Sequence, residues 1–406
     1  KKVKLTYEQV PFDHPLWVLY SSGTTGLPKA IVQGQGGIIL EHLKKAVLHT
    51  DLKPDDRFFW FTTTGWMMWN VVVGSLLSGA TAILYDGNPS YPNSETMWAF
   101  AEETGMTVFG TSATFLLMCM QQNVKPNETY NLSKLKSVMS TGSPLPPEGF
   151  QWVYENVGKD IWLASASGGT DLCTAFVLGC PLLPVDAGFI QCRALGAKVE
   201  AFDEGGQAVI NEVGELVVSE PMPSMPLYFW NEDDGRRYYE SYFDMYPGLW
   251  RHGDWIKIRP DGSCQIYGRS DSTINRGGIR IGTSEIYRAV ESIDGIQDSL
   301  VVDISNEKGK PFMPLFVVLD DGTELTETLK SEISKQIREI CSPRHVPDAI
   351  YSISEVPRTL NGKKLEVPIK KLLLGIPVEK AVNKGSMSNP DSLDFFLTFA
   401  KQVNEK

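Results

Sequence analysis

Apolar and polar positions alternate along the first half of the chain with periods that predict strands and helices in turn. The apolar run Leu16-Trp17-Val18-Leu19-Tyr20 and the β-like Ile31-Val32-Gln33 predict two strands joined by a polar stretch, Ser21 to Lys29. Leu40, Leu43 and Val47 recur at helical spacing with Glu41, Lys44 and Lys45 on other faces, which predicts an amphipathic helix over residues 37–50 with those apolar residues forming its inner face. Pro54-Asp55-Asp56 marks a turn and Arg57 to Thr63 a strand. The bulky cluster Thr64-Gly65-Trp66-Met67-Met68-Trp69-Asn70 suits a core or a small-molecule pocket, and locally core packing is the commoner use of such residues. A helix to about Ser78 and the strand Thr81 to Tyr85 follow, and strand, helix and strand alternate as far as Ile161. That order predicts a layered α/β architecture with a largely parallel sheet.

From Gly179 to Ser219 the pattern changes to short alternating strands broken by Gly, Pro and Asp, which predicts a β-rich subdomain. Trp250 to Trp255 and Gly268 to Asp271 bracket a hairpin turning at Pro260-Asp261-Gly262. Beyond it come a helix from Ser284 to Ile293, strands Ser299 to Ile304 and Pro314 to Leu319, and a helix from Leu325 to Cys341, enough for a small separate domain. After Pro377 only Leu393 to Phe399 keeps a core pattern. The expected division is therefore a large domain over residues 1–270, a small one over 271–375 and a peripheral tail over 376–406. A chain of 406 residues exceeds what one hydrophobic core usually serves.

Composition narrows the function classes. A net charge of −11 argues against a nucleic-acid-binding surface and against an anionic-membrane protein, while leaving room for a local basic groove around a phosphate. The six cysteines lack the CxxC spacing of a zinc site, and neither they nor the apolar runs indicate a disulfide framework, a signal peptide or a membrane span. The expected setting is cytoplasmic and the expected state a monomer. The chain begins without Met and its strongest motif comes almost at once, so a preceding N-terminal portion is expected.

That motif is Ser21-Ser22-Gly23-Thr24-Thr25-Gly26-Leu27-Pro28-Lys29. Glycines let successive backbone N–H groups converge on an anion, and the hydroxyls and the lysine add donors, so the stretch reads as a phosphate cradle. It is not a Walker A loop, because Pro28-Lys29-Ala30 leads into a strand rather than opening a helix. The alternative is a plain Ser/Gly/Thr surface loop. Two further turns, Ser140-Thr141-Gly142-Ser143-Pro144 and Ser165 to Asp171, follow strands, at the carboxyl ends where open α/β sheets bind ligands. Asp171 beside Thr170 suits Mg²⁺ next to phosphates, with a helix N-cap as the equally good local reading. Asp254 suits ribose hydroxyls and Arg269 a phosphate, although each alone reads as a surface charge. Near the end, Asn361-Gly362-Lys363-Lys364 sets two lysines on a tight turn.

These motifs, in this order, resemble the adenylate-forming superfamily of acyl-CoA synthetases, luciferases and peptide-synthetase adenylation domains. Gly65 to Asn70 and Thr359 to Glu366 look like the acetyl-CoA synthetase family within it, in a branch acting on a short β-keto acid. The resemblance implies an ATP-dependent ligase: an acid and MgATP give an acyl-adenylate and pyrophosphate, then CoA displaces AMP. It implies that Ser21, Ser22, Gly23, Thr24, Thr25, Gly26 and Lys29 hold the phosphates, and that Asp171 ligates Mg²⁺ with Thr170 beside it. Gly142, Ser143, Pro144 and Gly169 would line the nucleotide, Asp254 would take the ribose, and Arg269 and Arg280 would lie near phosphate. Lys363 would bridge the carboxylate and the α-phosphate. Trp66, Met67, Met68, Thr141 and Gly168 would form the acyl pocket, Gly168 standing where acetate-specific relatives carry a Trp and so making room for a longer chain. Asp271 would be the hinge about which the small domain turns, bringing Gly277 and Gly278 to the thiol of CoA, with Arg338 also near CoA. Asp171 replaces the usual Glu, and Glu366 stands where many relatives have a basic residue. Two other roles stay open, an adenylation domain loading a carrier protein and a non-catalytic nucleotide-binding fragment.

Overall fold

The computed structural model describes residues 4–21, 29–270, 274–276, 279–305, 311–360 and 362–404. The candidate residues Ser22 to Gly26, Asp271, Gly277 and Gly278 lie outside that set, as does the side chain of Arg280. The first two strands, β1 (Pro15–Ser21) and β2 (Lys29–Gly34), pair antiparallel on either side of the polar stretch, with Ser21 opposite Lys29. This is the strand-to-strand setting that separates it from a Walker A loop. Helix α1 (Gln35–Leu43) begins only after β2 and continues as a wider π-helical turn over Lys44–His49.

A five-stranded parallel sheet follows, built from β3 (Arg57–Trp60), β4 (Thr81–Ile83), β5 (Val108–Ser112), β6 (Ser137–Thr141) and β7 (Trp162–Ser165) in the order β4-β3-β5-β6-β7. Successive side chains in a strand leave opposite faces, and the pairs Phe58/Phe59, Val108/Phe109, Val138/Met139 and Leu163/Ala164 do so here. Phe59, Phe109, Val138 and Leu163 pack with Trp98, Leu116, Phe150 and Trp152 on one face. Phe58, Val108, Met139 and Ala164 pack with Trp60, Met68, Val71 and Val72 on the other. Next, β8 (Ser167–Gly169) pairs antiparallel with β9 (Thr174–Leu178). A five-stranded antiparallel sheet then runs in the order 208–209, 199–202, 213–218, 250–258, 264–269, the β-rich unit expected from the sequence.

From residue 274 on, the hydrophobic clusters share no member with those before. Here the strands Ile296–Val301, Pro314–Leu319 and Ala349–Ser352 form a three-stranded sheet flanked by the helices Thr283–Val290 and Glu327–Ile340. The tail expected to be peripheral is not. The helix Leu393–Asn404 buries Leu393, Phe396 and Phe399 against Leu300, Phe316 and Leu372, and the Phe316 and Phe396 rings lie 4.9 Å apart. Its apolar residues recur at three- to four-residue spacing, and the polar, irregular stretch before them hides that they finish the core of the preceding sheet.

The first helix departs from expectation too. Leu40 and Val47 are 50% and 41% exposed, whereas Glu41 and His42 are buried. The buried groups are paired: Glu41 meets Lys44 at 2.6 Å and accepts from Thr174 Oγ1 at 3.1 Å, and His42 Nε2–H donates to the Cys173 carbonyl at 3.1 Å. Paired charge is tolerated inside a protein where unpaired charge is not. His49 is held neutral by two opposed bonds, its Nδ1–H donating to the Gly179 carbonyl at 2.9 Å and its Nε2 accepting from the Leu195 amide at 3.0 Å.

Burial pushes His42 down to about 4 and lowers His49 as well. Below the ordinary histidine pKa the unfolded chain binds protons that the folded chain refuses, so stability falls as pH drops from about 6.5 to about 4, by about 3 kcal/mol for His42 alone. Urea midpoints at pH 7, 5.5 and 4 are expected to fall in that order, with a shallower slope in His42→Gln; a flat profile would contradict the burial of neutral imidazoles.

Candidate functional site

The site grows from three elements that end at one place. The hairpin β1-β2 delivers Lys29, the carboxyl ends of β6 and β7 deliver Thr141 to Pro144 and Ser165 to Asp171, and the long hairpin 250–269 delivers Asp254 and Arg269. Thr141 Oγ1 donates to the Ala166 carbonyl at 2.8 Å and the Ala166 amide to the Ser140 carbonyl at 2.9 Å, which ties the two sheet-end turns together.

Asp171 is the hub. Lys29 Nζ lies 2.5 Å from its Oδ1, and the Tyr242 hydroxyl donates to the same oxygen. Lys29 Nζ also donates to the Tyr242 hydroxyl at 3.1 Å and sits 4.5 Å above that ring, which stacks on Trp250 at 3.6 Å. Gln33 Nε2 donates to the Asp171 carbonyl at 2.8 Å, and Trp17 Nε1 fixes Gln33 at 2.9 Å. Burial alone would raise the Asp171 carboxyl, but Lys29 and the hydrogen bonds outweigh it and bring it down to about 2. Burial and the adjoining carboxylate push the Tyr242 phenol well above its ordinary range, so it stays a donor. The second carboxylate oxygen, Oδ2, takes no hydrogen bond among the described residues.

Asp254 and Arg269 are cross-strand partners, with Arg269 NH1 3.6 Å from Asp254 Oδ1. Between Asp254 and the β8 turn lies His252, buried, its Nε2 3.5 Å from Asp254 Oδ2 and its ring 4.3 Å from Phe176. Burial lowers its pKa, so it rests neutral. Gly169 is required by that histidine, because a Cβ there would fall 2.4 Å from His252 Cε1. At Gly168 a Cβ would fall 2.2 Å from the Thr174 carbonyl oxygen, backbone that cannot step aside. The glycine thus answers first to the close strand contact at a bulge between Ser167 and Gly168.

Trp66 borders the Gly142 turn: a Cβ on Gly142 would lie 4.0 Å from Trp66 Cζ2. Trp66 and Met67 are half-buried, and Met68 behind them is part of the core, 4% exposed. Ser143 and Pro144 are exposed on the turn. Arg338 lies exposed in the last turn of the helix Glu327–Ile340. Ser21 Oγ, Ser140 Oγ and Ser165 Oγ are buried without a partner among the described residues, polar atoms at strand ends that a polar ligand would satisfy.

Lys363 belongs to the small unit, on the turn closed by Thr359. The residue is open to solvent, yet protein atoms crowd its ammonium enough for burial and the Arg269 cation to lower its pKa, against the pull of Asp254 and Asp171. Tyr242, Gln33 and His252 were missed from the sequence. Tyr242 sits in the aromatic run Tyr238 to Phe243 with nothing to single it out, and Gln33 reads only as a strand residue.

Comparison with known proteins bears on the fold and the family. The family described as AMP-binding enzyme matches residues 3–229, and the AMP-binding enzyme C-terminal domain matches residues 285–363. The acetoacetyl-coenzyme A synthetase of Rhizobium meliloti (strain 1021) is 46% identical over 392 residues, covering 97% of this chain and 60% of that protein. The acetoacetyl-CoA synthetase of Gallus gallus is 42% identical over 402 residues, covering 99% and 60%. The solved acetoacetyl-CoA synthetase from Streptomyces lividans superposes with a TM-score of 0.93 at 52% identity, covering 99% of this chain and 62% of that one. The anthranilate CoA ligase AuaEII, solved in complex with anthranoyl-AMP, shares the fold at 20% identity with a TM-score of 0.75, covering 89% and 68%. The chain thus spans about 60% of the length of the curated relatives it matches. With a large α/β unit and a small α+β unit of the adenylate-forming fold, and a family match across more than half its residues, the chain belongs to the AMP-binding enzymes.

Proposed function

We propose that this chain carries the nucleotide and acid sites of an acetoacetyl-CoA synthetase, an AMP-forming ligase that activates acetoacetate with ATP and passes it to CoA. The observation that carries the reading is the Lys29–Asp171 ion pair at 2.5 Å, set with the cross-strand pair Asp254–Arg269 at the ends of the large unit's strands; the lowered pKa of Lys363, to which burial and Arg269 contribute, supports it. The named relatives supply the acid. A domain limit near residue 270, a cytoplasmic setting consistent with six free cysteines, and a monomeric state belong to the same proposal. Among the described residues no helix is long and apolar enough to cross a membrane.

In the first step the acid's carboxylate attacks the α-phosphorus and pyrophosphate leaves. Negative charge grows on the nonbridging oxygens, and the protein's task is to meet it with cations and donors already in place. Lys363 stands at the junction of carboxylate and α-phosphate, with Arg269 beside it. Asp254 orients the ribose, and Gly142, Ser143, Pro144 and Gly169 line the adenylate. Ser21 and Lys29 frame the phosphate loop with Ser22, Gly23, Thr24, Thr25 and Gly26. Trp66, Met67 and Thr141 border the acyl group, and Met68 and Gly168 shape it from behind through packing and strand contact. Mg²⁺ bound with ATP would supply charge neutralisation, and Asp171 Oδ2, a hard oxygen with no hydrogen bond among the described residues, would be a fitting ligand, with Thr170 adjacent. In the second step the small unit turns about Asp271, Lys363 leaves, and Gly277, Gly278, Arg280 and Arg338 approach CoA. Free CoA is the proposed acceptor, in keeping with the relatives' names.

Exchange of labelled pyrophosphate into ATP is expected to run at least about tenfold faster with acetoacetate than with acetate at equal concentration. Equal or faster exchange with acetate overturns the substrate assignment.

A further inference from the structure

The lysine turn carries two adjacent lysines and a nearby arginine, and Lys364 and Arg358 are both tied down within the small unit. In an extended segment neighbouring side chains leave on opposite faces. Lys364 turns back into the small unit, where its three N–H donors meet Glu291 Oε1 at 2.6 Å, Asp298 Oδ1 at 2.8 Å and the Ser299 carbonyl at 2.6 Å. Its Nζ also lies 3.8 Å from the centre of the Tyr287 ring, whose hydroxyl donates to Glu366 Oε1 at 2.6 Å. That bond gives the unusual Glu366 its place.

Arg358, on the opposite arm of the turn, reaches the other oxygen of the same carboxylate: NH2 lies 2.6 Å and Nε 3.2 Å from Asp298 Oδ2. It also donates to the Gly362 carbonyl inside the turn. Arg358 and Lys364 bridge as cross-strand partners, and the turn between them is closed by Thr359 N–H to the Lys363 carbonyl at 2.9 Å and Lys363 N–H to Thr359 Oγ1 at 3.1 Å. Burial would raise the Asp298 carboxyl, but Lys364 and Arg358 hold it below its ordinary value, so the clamp is ionised at neutral pH. One carboxylate thus grips both arms of the turn, one oxygen to each.

We infer that Asp298, with Glu291, is a positioning residue for adenylation: by sequestering Lys364 and Arg358 it holds the turn so that Lys363 alone addresses the acid and the α-phosphate. The inference rests on the ligase reading. It adds that the two lysines are not interchangeable and that residues contacting no substrate enforce the difference. Loss of the clamp lets Lys364 swing and the turn twist, and a displacement of about 1 Å at Lys363 is enough for a hundredfold loss.

The test is Asp298→Asn in the full chain, with Asp298→Glu as the conservative partner. Pyrophosphate exchange is expected to fall by about 10- to 100-fold in Asp298→Asn and to recover in part in Asp298→Glu, while thioester formation from supplied acyl-adenylate and CoA stays within about twofold. Equal loss of both half-reactions together with a lowered melting temperature assigns Asp298 a general structural role and overturns the inference. A second readout does not depend on activity. With a small amine-acylating reagent, Lys363 is expected to label at least about tenfold faster than Lys364, and the ratio to fall below about threefold in Asp298→Asn. An unchanged ratio overturns the clamp. If the wild-type chain performs neither half-reaction, the ligase reading fails, and the labelling ratio decides the clamp by itself.

Discussion

Lys363→Ala is expected to reduce pyrophosphate exchange by at least about a thousandfold, equivalent to about 4 kcal/mol of transition-state stabilisation, and to spare thioester formation from supplied acyl-adenylate. On the proposed reading, the size follows from the removal of the cation assigned to the place where charge develops. Lys364 has its donors engaged by Glu291, Asp298 and Ser299, so it does not fill the gap. The sparing follows from the lysine's origin in the small unit, which need not present it during thioester formation. Equal loss of both half-reactions would contradict the role. In the wild type, the lowered pKa of Lys363 means that its cation disappears at a lower pH than the ordinary lysine value of about 10.4, so exchange is expected to decline on the alkaline side before that point.

Asp171→Asn is expected to cost both stability and chemistry. The Lys29 ammonium and the Asp171 carboxylate have side chains only 17% and 13% exposed, and removing one member of such a pair leaves the other buried without its countercharge, a loss of about 3–5 kcal/mol. Urea denaturation at pH 7 reads that loss, and pyrophosphate exchange is expected to fall by about a hundredfold or more because Lys29 and Tyr242 lose the anchor that places them. The double variant Lys29→Met/Asp171→Asn is expected to regain part of the stability and none of the exchange, since it removes both buried charges and also the phosphate cation. Additive losses in the double variant would contradict the pairing. With its carboxyl down at about 2, Asp171 contributes this stability in full above its ordinary pKa, near 4, and loses it as the pH falls through about 2.

What the sequence made legible follows from how local each signal is. The parallel sheet was readable because strand-helix alternation is written residue by residue, and the setting of the phosphate loop was readable because Ile31-Val32-Gln33 is strand-like on its face. The faces of the first helix were not. Burial of Glu41 and His42 depends on Thr174 and Cys173, more than a hundred residues away, and the π-helical turn after Leu43 shifts the register that helical spacing assumes. The last helix was misjudged for the same reason: its amphipathic pattern was visible, but the receiving surface around Leu300 and Phe316 was not. Within the site, residues carrying a motif could be named, whereas Tyr242, Gln33 and His252 act through distances that only the fold creates.

The late position of the helix Leu393–Asn404 bears on synthesis. Its phenylalanines complete the core under the sheet that holds residues 296–319, and the segment just before it braces the lysine turn, through the Leu360 amide to the Ser386 carbonyl and the Arg358 amide to Asn389 Oδ1. A nascent chain emerging from the ribosome with the lysine turn already exposed still lacks the layer that fixes it. On the proposed reading, competence is therefore expected only once residues near 400 have been translated, and products stopped short of them are expected to lack a braced lysine turn.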